Sequence, residues 1–177
     1  ALAYAWNRHR IVHRDIKPAN MIIANDNEVK LLDLGISKHV NEDRPDITAV
    51  GMMVGSPTFI SPEQARGDQN VDFRADMYSL GTTMFNMLTG KPPYHSNNSM
   101  VVVSMHLTAP IPNVREVRPD VSERTSALIR KMMAKKKDDR FDSWEDVIAE
   151  MDSIIDSLQP EEQQPYGDEA TAQEKNQ

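Results

Sequence analysis

A short stretch, His13-Arg14-Asp15-Ile16-Lys17-Pro18-Ala19-Asn20, brings an acid, a cation and a neutral polar ligand close together in the chain. Asp15 is a carboxylate able to orient a hydroxyl and accept its proton. Lys17 reaches the same side of an extended loop, where it can neutralise a transferring phosphoryl group. Asn20 offers an amide oxygen to a hard cation such as magnesium. A second carboxylate, Asp33, follows within Leu31-Leu32-Asp33-Leu34-Gly35.

The flanking residues say how these groups are held. Ile11-Val12 before the stretch and Met21-Ile22-Ile23 after it are β-branched or apolar runs, so the charged residues sit on a loop between strand signals. Pro18 lacks a backbone donor and biases Lys17 away from helix, in keeping with a loop. Met21 to Ala24 and Val29 to Leu32 read as two strands joined by the turn-forming cluster Asn25-Asp26-Asn27. Such a hairpin folds Asp33 back beside Asn20, and the pair then suits a two-metal site. His13 closes an apolar strand, and with Asp15 already supplying a base it reads as a structural histidine. His9, His39, His95 and His106 have no metal-ligand spacing and read as surface or internally bonded residues.

In this order and spacing the residues resemble the catalytic loop and metal-binding loop of eukaryotic-type protein kinases. The pattern H-R-D-x-K-P-x-N is intact, and D-F-G is present as Asp33-Leu34-Gly35, with Leu34 as the apolar plug. Lys17 resembles the serine/threonine branch. Small-molecule phosphotransferases share the aspartate-asparagine-aspartate series, but Ser61-Pro62-Glu63 stands where protein kinases carry A-P-E. Asp76-Met77-Tyr78-Ser79-Leu80-Gly81 resembles D-x-W-S-x-G. The segments Ser61 to Gly67 and Val71 to Thr89 look most like the bacterial branch.

The resemblance implies roles residue by residue. Asp15 and Lys17 are the catalytic pair, Asn20 and Asp33 hold magnesium or manganese with ATP, and Ile22 forms the floor of the adenine pocket. Asp76 supports the catalytic loop through its backbone, and Glu63 pairs with Arg140. Ser56, in Gly55-Ser56-Pro57, falls where the family has a threonine touching the catalytic aspartate and lysine, on the substrate loop. Phe59 takes a place usually held by tyrosine. Ser37 and Thr48 are hydroxyls in the segment resembling an activation loop; Thr48 is the better candidate phosphosite, and Arg14 is placed to pair with its phosphate.

The remaining chain reads as helices. Arg74 to Gly90 carries Met77, Leu80, Met84, Met87 and Leu88 among small or neutral residues, the mark of a helix buried nearly all round, stopped by Gly90 and Pro92-Pro93. Met100 to Leu107 forms a short helix. Ser122 caps another, with Leu128, Ile129, Met132 and Met133 on one face and Lys135-Lys136-Lys137 at its end, where carbonyl dipoles favour cations. Ser143-Trp144-Glu145-Asp146 opens a last helix whose buried stripe is Val147, Ile148, Met151, Ile154, Ile155 and Leu158. The eleven methionines fall mostly on such stripes and read as packing.

These readings define a mainly α fold, a protein-kinase-like C-lobe over residues 1–158 with a small β-hairpin carrying the catalytic loop, followed by a disordered acidic tail over 159–177. The 177 residues and 39% hydrophobic content suit one domain plus a tail. The small lobe, with its glycine-rich loop, strand lysine and hinge, is expected upstream, so the chain is expected to begin inside a larger protein. The net charge of -7 argues against nucleic acid as a partner. No apolar run approaches the roughly 18 residues of a membrane span. The lack of cysteine excludes disulfides and thiolate metal sites, and a cytoplasmic setting is expected, with any membrane anchor elsewhere in the full-length protein. The expected activity is transfer of the γ-phosphoryl of ATP to serine or threonine of a protein substrate. The rival from another class is a noncatalytic lobe that docks partners, for which an intact Asp15, Lys17, Asn20 and Asp33 set has no use.

Overall fold

Glycine in the interior of a helix costs about 1 kcal/mol relative to alanine, so Gly81 in the middle of α3 (Arg74–Thr89) needs a reason. The reason is close approach. A Cβ at Gly81 would lie 2.9 Å from Met132 Cβ and 3.0 Å from Met133 Cγ, so α5 (Glu123–Met132) and the residue following it press directly on the α3 backbone. The helix ends at Gly90, whose φ of 72° turns its N–H back to the Asn86 carbonyl. The computed structural model describes residues 1–26, 28–32, 38–39 and 57–158. The expectations placed on Asp33, Ser37, Thr48, Ser56 and the tail lie outside the described residues.

The other helices are α1 (Leu2–His9), α2 (Pro62–Arg66), α4 (Ser99–Thr108) and α6 (Trp144–Leu158). Single 3-10 turns stand at Pro18–Asn20, Pro57–Phe59, Val114–Glu116 and Lys137–Asp139. Two apolar clusters share α3 as a wall. One gathers Phe73, Met77, Leu128, Met132, Trp144 and Val147, joining α3 to α5 and α6. The other joins Tyr78 and Phe85 to Val102 of α4 and to Ile129 and Met133. A smaller cluster of Val12, Val71 and Ala75 fastens the first strand to the base of α3.

The strands are short and antiparallel. β2 (Met21–Ile23) pairs with β3 (Val29–Leu31), with Ile22 opposite Lys30, which is the expected hairpin less the last residue of each strand. β1 (Ile11–Val12) pairs with β4 (Lys38–His39), Ile11 opposite His39. The second pairing was not expected, because two residues carry no periodicity from which a strand can be read.

Three expectations about the helices need correction. Met87 is exposed, because the last turn of α3 emerges from the core. The stripe on α6 is narrower than expected: Val147 and Ile154 are buried and Met151 packs against the core, whereas Ile148, Ile155 and Leu158 are exposed. Neighbours cover α6 along one flank, so fewer positions per turn are buried than its apolar content suggests. Lys135 does not sit at the C-terminus of its own helix. Its Nζ crosses to α4 and donates to the carbonyls of Met105 at 3.2 Å and His106 at 2.9 Å, in the last turn of that helix. The dipole argument holds, but for the neighbouring helix. Lys137 likewise turns to Asp72, 3.3 Å away.

Candidate active site

The loop between β1 and β2 is shaped by bonds from α3 and α2. Arg14 has a φ of 69°, a left-handed conformation that costs a non-glycine residue about 1–2 kcal/mol. Both its backbone groups are bonded in that pose, which holds it. Its N–H donates to Asp76 Oδ1 at 2.8 Å, and its carbonyl accepts from Gln64 Nε2 at 2.9 Å. The N–H of His13 donates to the other oxygen of Asp76 at 2.7 Å. Asp76, buried in the first turn of α3, therefore clamps two consecutive amides of the loop. Burial raises its carboxyl to about 6, against the opposing pull of those two N–H bonds and of the Arg14 charge. The Arg14 guanidinium is shifted downward by burial, partly offset by Asp76.

His13 is buried, and its ring has a definite orientation. Nδ1 faces the N–H of Asp15 at 3.3 Å and so must accept, while Nε2 faces the Leu32 carbonyl at 3.0 Å and so must donate. One neutral ring thus ties the start of the loop to the end of the hairpin. The hairpin closes on the loop again through the Leu32 N–H, which donates to the Asn20 carbonyl at 2.8 Å.

Asp15, Lys17 and Asn20 converge. Lys17 Nζ lies 2.6 Å and Asn20 Nδ2 2.9 Å from the same oxygen, Asp15 Oδ2, and Asn20 Nδ2 also reaches the Asp15 carbonyl at 2.8 Å. The side chains of Asp15 and Lys17 are each 26% exposed, so the pair is partly open to solvent. With its nitrogen occupied by Asp15, the amide of Asn20 has Oδ1 as its atom for a cation. A neutral oxygen of this kind is a hard donor suited to a divalent cation. Ile22 lies on the hairpin with its side chain about half exposed, on the same β2 strand that follows Asn20.

Glu63 and Arg140 meet as a bidentate pair, Nη1 to Oε1 at 2.7 Å and Nη2 to Oε2 at 2.9 Å, both buried. Two further donors of Arg140 are also occupied: Nη1 reaches the Arg74 carbonyl at 2.6 Å and Nε the Ala134 carbonyl at 2.8 Å. This fork joins the start of α2, the start of α3 and the chain beyond α5. Reading the sequence missed Gln64, which supports the same corner. Ser61 caps α2 by accepting from the Gln64 N–H, the Gln64 side chain reaches back to the Ser61 N–H, and its free amide end then bonds Arg14. The S-x-x-Q spacing with Pro62 at the first helical position was the available signal, a capping box in front of a helix.

The sequence that builds this H-R-D loop, its helix aspartate clamp and the buried Glu-Arg fork matches the protein kinase domain family over residues 1–151. The chain belongs to the protein kinase family. Its relatives include serine/threonine-protein kinase PknF of Mycobacterium tuberculosis, 41% identical over 145 residues that cover 80% of this chain and 30% of the relative. Serine/threonine-protein kinase PknB of Mycolicibacterium smegmatis is 34% identical over 156 residues, 88% of this chain and 25% of that protein. PknB of Mycobacterium tuberculosis is 33% identical over the same length. The chain thus spans between 25% and 30% of the length of these relatives. Among the described residues, no helix is long and apolar enough to cross a membrane.

Proposed function

We propose that the whole protein containing these residues transfers the γ-phosphoryl of ATP to serine or threonine hydroxyls of protein substrates. The observation that carries this reading is the meeting of Lys17 Nζ and Asn20 Nδ2 on one oxygen, Asp15 Oδ2, at 2.6 and 2.9 Å. Two donors on Oδ2 fix the carboxylate plane and leave Oδ1 to receive the proton of an acceptor hydroxyl. As that proton passes to Asp15, the acceptor oxygen forms the new P–O bond and the bond to ADP breaks. Lys17, held on the other oxygen of the same carboxylate, stabilises the charge on the moving phosphoryl group. A divalent ion, magnesium or manganese, held by Asn20 Oδ1 and Asp33, would neutralise phosphate charge when bound. Ile22 offers an exposed apolar surface next to these groups for the adenine. Thr48 is the proposed phosphosite that answers to Arg14, and Ser56 the substrate-loop hydroxyl. A lobe that served only for docking would have no need of a fixed carboxylate with a lysine and an amide on one oxygen.

The test is Asp15→Asn in the whole protein, assayed for phosphoryl transfer from ATP to a generic basic protein. Turnover is expected to fall by about 100-fold or more, with ATP affinity changed less than about twofold, because Asp15 acts on the acceptor and not on the nucleotide. Turnover close to wild type would remove Asp15 from the reaction.

A further inference from the structure

His106, on α4, is fully buried, and each of its ring nitrogens faces a partner. Nε2 is 3.0 Å from the carbonyl oxygen of Thr58, in the Pro57–Phe59 turn, and Nδ1 is 3.0 Å from the Tyr78 hydroxyl of α3. A carbonyl only accepts, so Nε2 carries the proton, and Nδ1 of the neutral ring accepts the Tyr78 O–H. Lys135 fixes the direction of the chain from its other end. Its Nζ donates to Tyr94 Oη at 2.9 Å and, more distantly, to Tyr78 Oη at 3.4 Å, besides the Met105 and His106 carbonyls. With its oxygen receiving from Lys135, Tyr78 has its proton to give to His106, and Tyr94 gives its own to the Pro110 carbonyl at 3.0 Å. The protons therefore run one way, from Lys135 through Tyr78 to His106 and from His106 to the chain at Thr58.

The Pro57–Phe59 turn lies between this relay and the catalytic loop. Pro57 is buried, whereas Thr58, Phe59 and Ile60 are only partly so, and Ser61 directly after them begins the cap whose Gln64 reaches Arg14 beside Asp15. The turn, which directly follows Ser56 in the chain, is thus held through the Thr58 carbonyl from the α4 side.

We propose that His106 is a positioning residue for the acceptor side of the site: its Nε2–H tautomer, set by Tyr78 and Lys135, grips the Thr58 carbonyl and seats residues 57–60 for the incoming protein substrate. The inference rests on the kinase reading above and adds to it a residue remote from Asp15 that governs acceptor binding. A neutral ring is required for this grip. Burial, and secondarily the charge of Lys135, push His106 down to about 4, so the ring is neutral at physiological pH.

The experiment compares His106→Leu and His106→Gln with wild type in the whole protein, using the generic basic protein as acceptor. His106→Leu is expected to raise the acceptor KM about tenfold, with kcat and the KM for ATP within about twofold, as loss of one buried hydrogen bond at the seat implies. His106→Gln keeps a donor and is expected to recover at least half of that loss on a logarithmic scale. A purely structural histidine would instead lower the melting temperature and the active fraction, leaving KM alone. An unchanged acceptor KM in His106→Leu, or no recovery in His106→Gln, overturns the proposal. Two readouts need no catalysis and so separate this inference from the kinase reading, which Asp15→Asn tests. Amide exchange at residues 58–60 is expected to speed up about tenfold in His106→Leu and much less in His106→Gln; equal exchange overturns the seat. Ring nitrogen resonances of wild type are expected to show Nε2 protonated and Nδ1 bare, and the opposite tautomer overturns the proposal even if neither variant folds.

Discussion

Between α3 and α6 the chain is held by apolar packing: Met77, Met132 and Trp144 on one side of α3 and Tyr78, Val102 and Ile129 on the other are at most a few per cent exposed. Between β1 and β3 the elements are two or three residues long, and Ile23 and Val29 are 72% and 63% exposed. Strands this short have little stability of their own. Order reaches the H-R-D loop from the helices through two bonds from Asp76, one from Gln64 and the apolar contact of Val12 with Val71 and Ala75, while His13 ties the loop to the hairpin. The half carrying the proposed catalytic residues takes its rigidity from the half carrying the core. A backbone such as that at Arg14, in an unfavourable conformation, persists because its surroundings over-determine it.

The largest blow to this arrangement is expected at the fork that joins the two halves. Arg140→Met leaves the Glu63 carboxylate buried without its partner and is expected to cost about 3–5 kcal/mol in denaturant unfolding. Adding Glu63→Gln to it should restore part of the loss, because no charge is then stranded. Losses that simply add would show that the two side chains act independently.

A smaller effect is expected at the clamp. Asp76→Asn has a single acceptor oxygen for two amides, so the N–H of His13 or Arg14 is left unmet and stability should fall by about 1–3 kcal/mol. This substitution also has a pH signature. With its carboxyl raised to about 6 from 3.8, folded Asp76 holds a proton between those values that the unfolded chain has released. Its contribution to stability is therefore greatest below pH 4 and declines as pH rises through 6, and the gap between wild type and Asp76→Asn should narrow over that window. A gap that widens instead would mean that the two N–H bonds outweigh burial. The smallest effect is expected on the hairpin surface: Ile23→Ala should change stability by less than about 0.5 kcal/mol, since little of that side chain is buried. A loss above about 1.5 kcal/mol would show that β2 and β3 carry a core of their own.

Much of this is legible in the sequence itself. Gly90 and Pro92-Pro93 marked the end of α3, Ser122 the start of α5, and the run from His13 to Asn20 between two apolar segments marked a loop closed by a hairpin. These features are local, set by turn chemistry and side-chain period. What was not legible depends on partners far along the chain. Nothing around Lys135 says that its ammonium will meet Tyr78, Tyr94 and the end of α4, between 29 and 57 residues away. Nor does the apolar content of α6 say that neighbours cover one flank only. The pairing of β1 with β4 is of the same kind, a contact between two-residue segments with no pattern of their own. Gln64 is the intermediate case: its cap was readable from spacing, its bond to Arg14 was not.

Hydrogen exchange under native conditions, resolved at the amides of His13 and Arg14, tests most directly the claim that the helical half holds the catalytic loop in place. Both amides donate to Asp76 in the first turn of α3. They are predicted to exchange as slowly as Thr82 in the buried centre of that helix, through global unfolding only, and to lose that protection in Asp76→Asn. Exchange at His13 and Arg14 orders of magnitude faster than at Thr82 in the wild type would contradict the account, since the loop would then open freely while the helices stay folded.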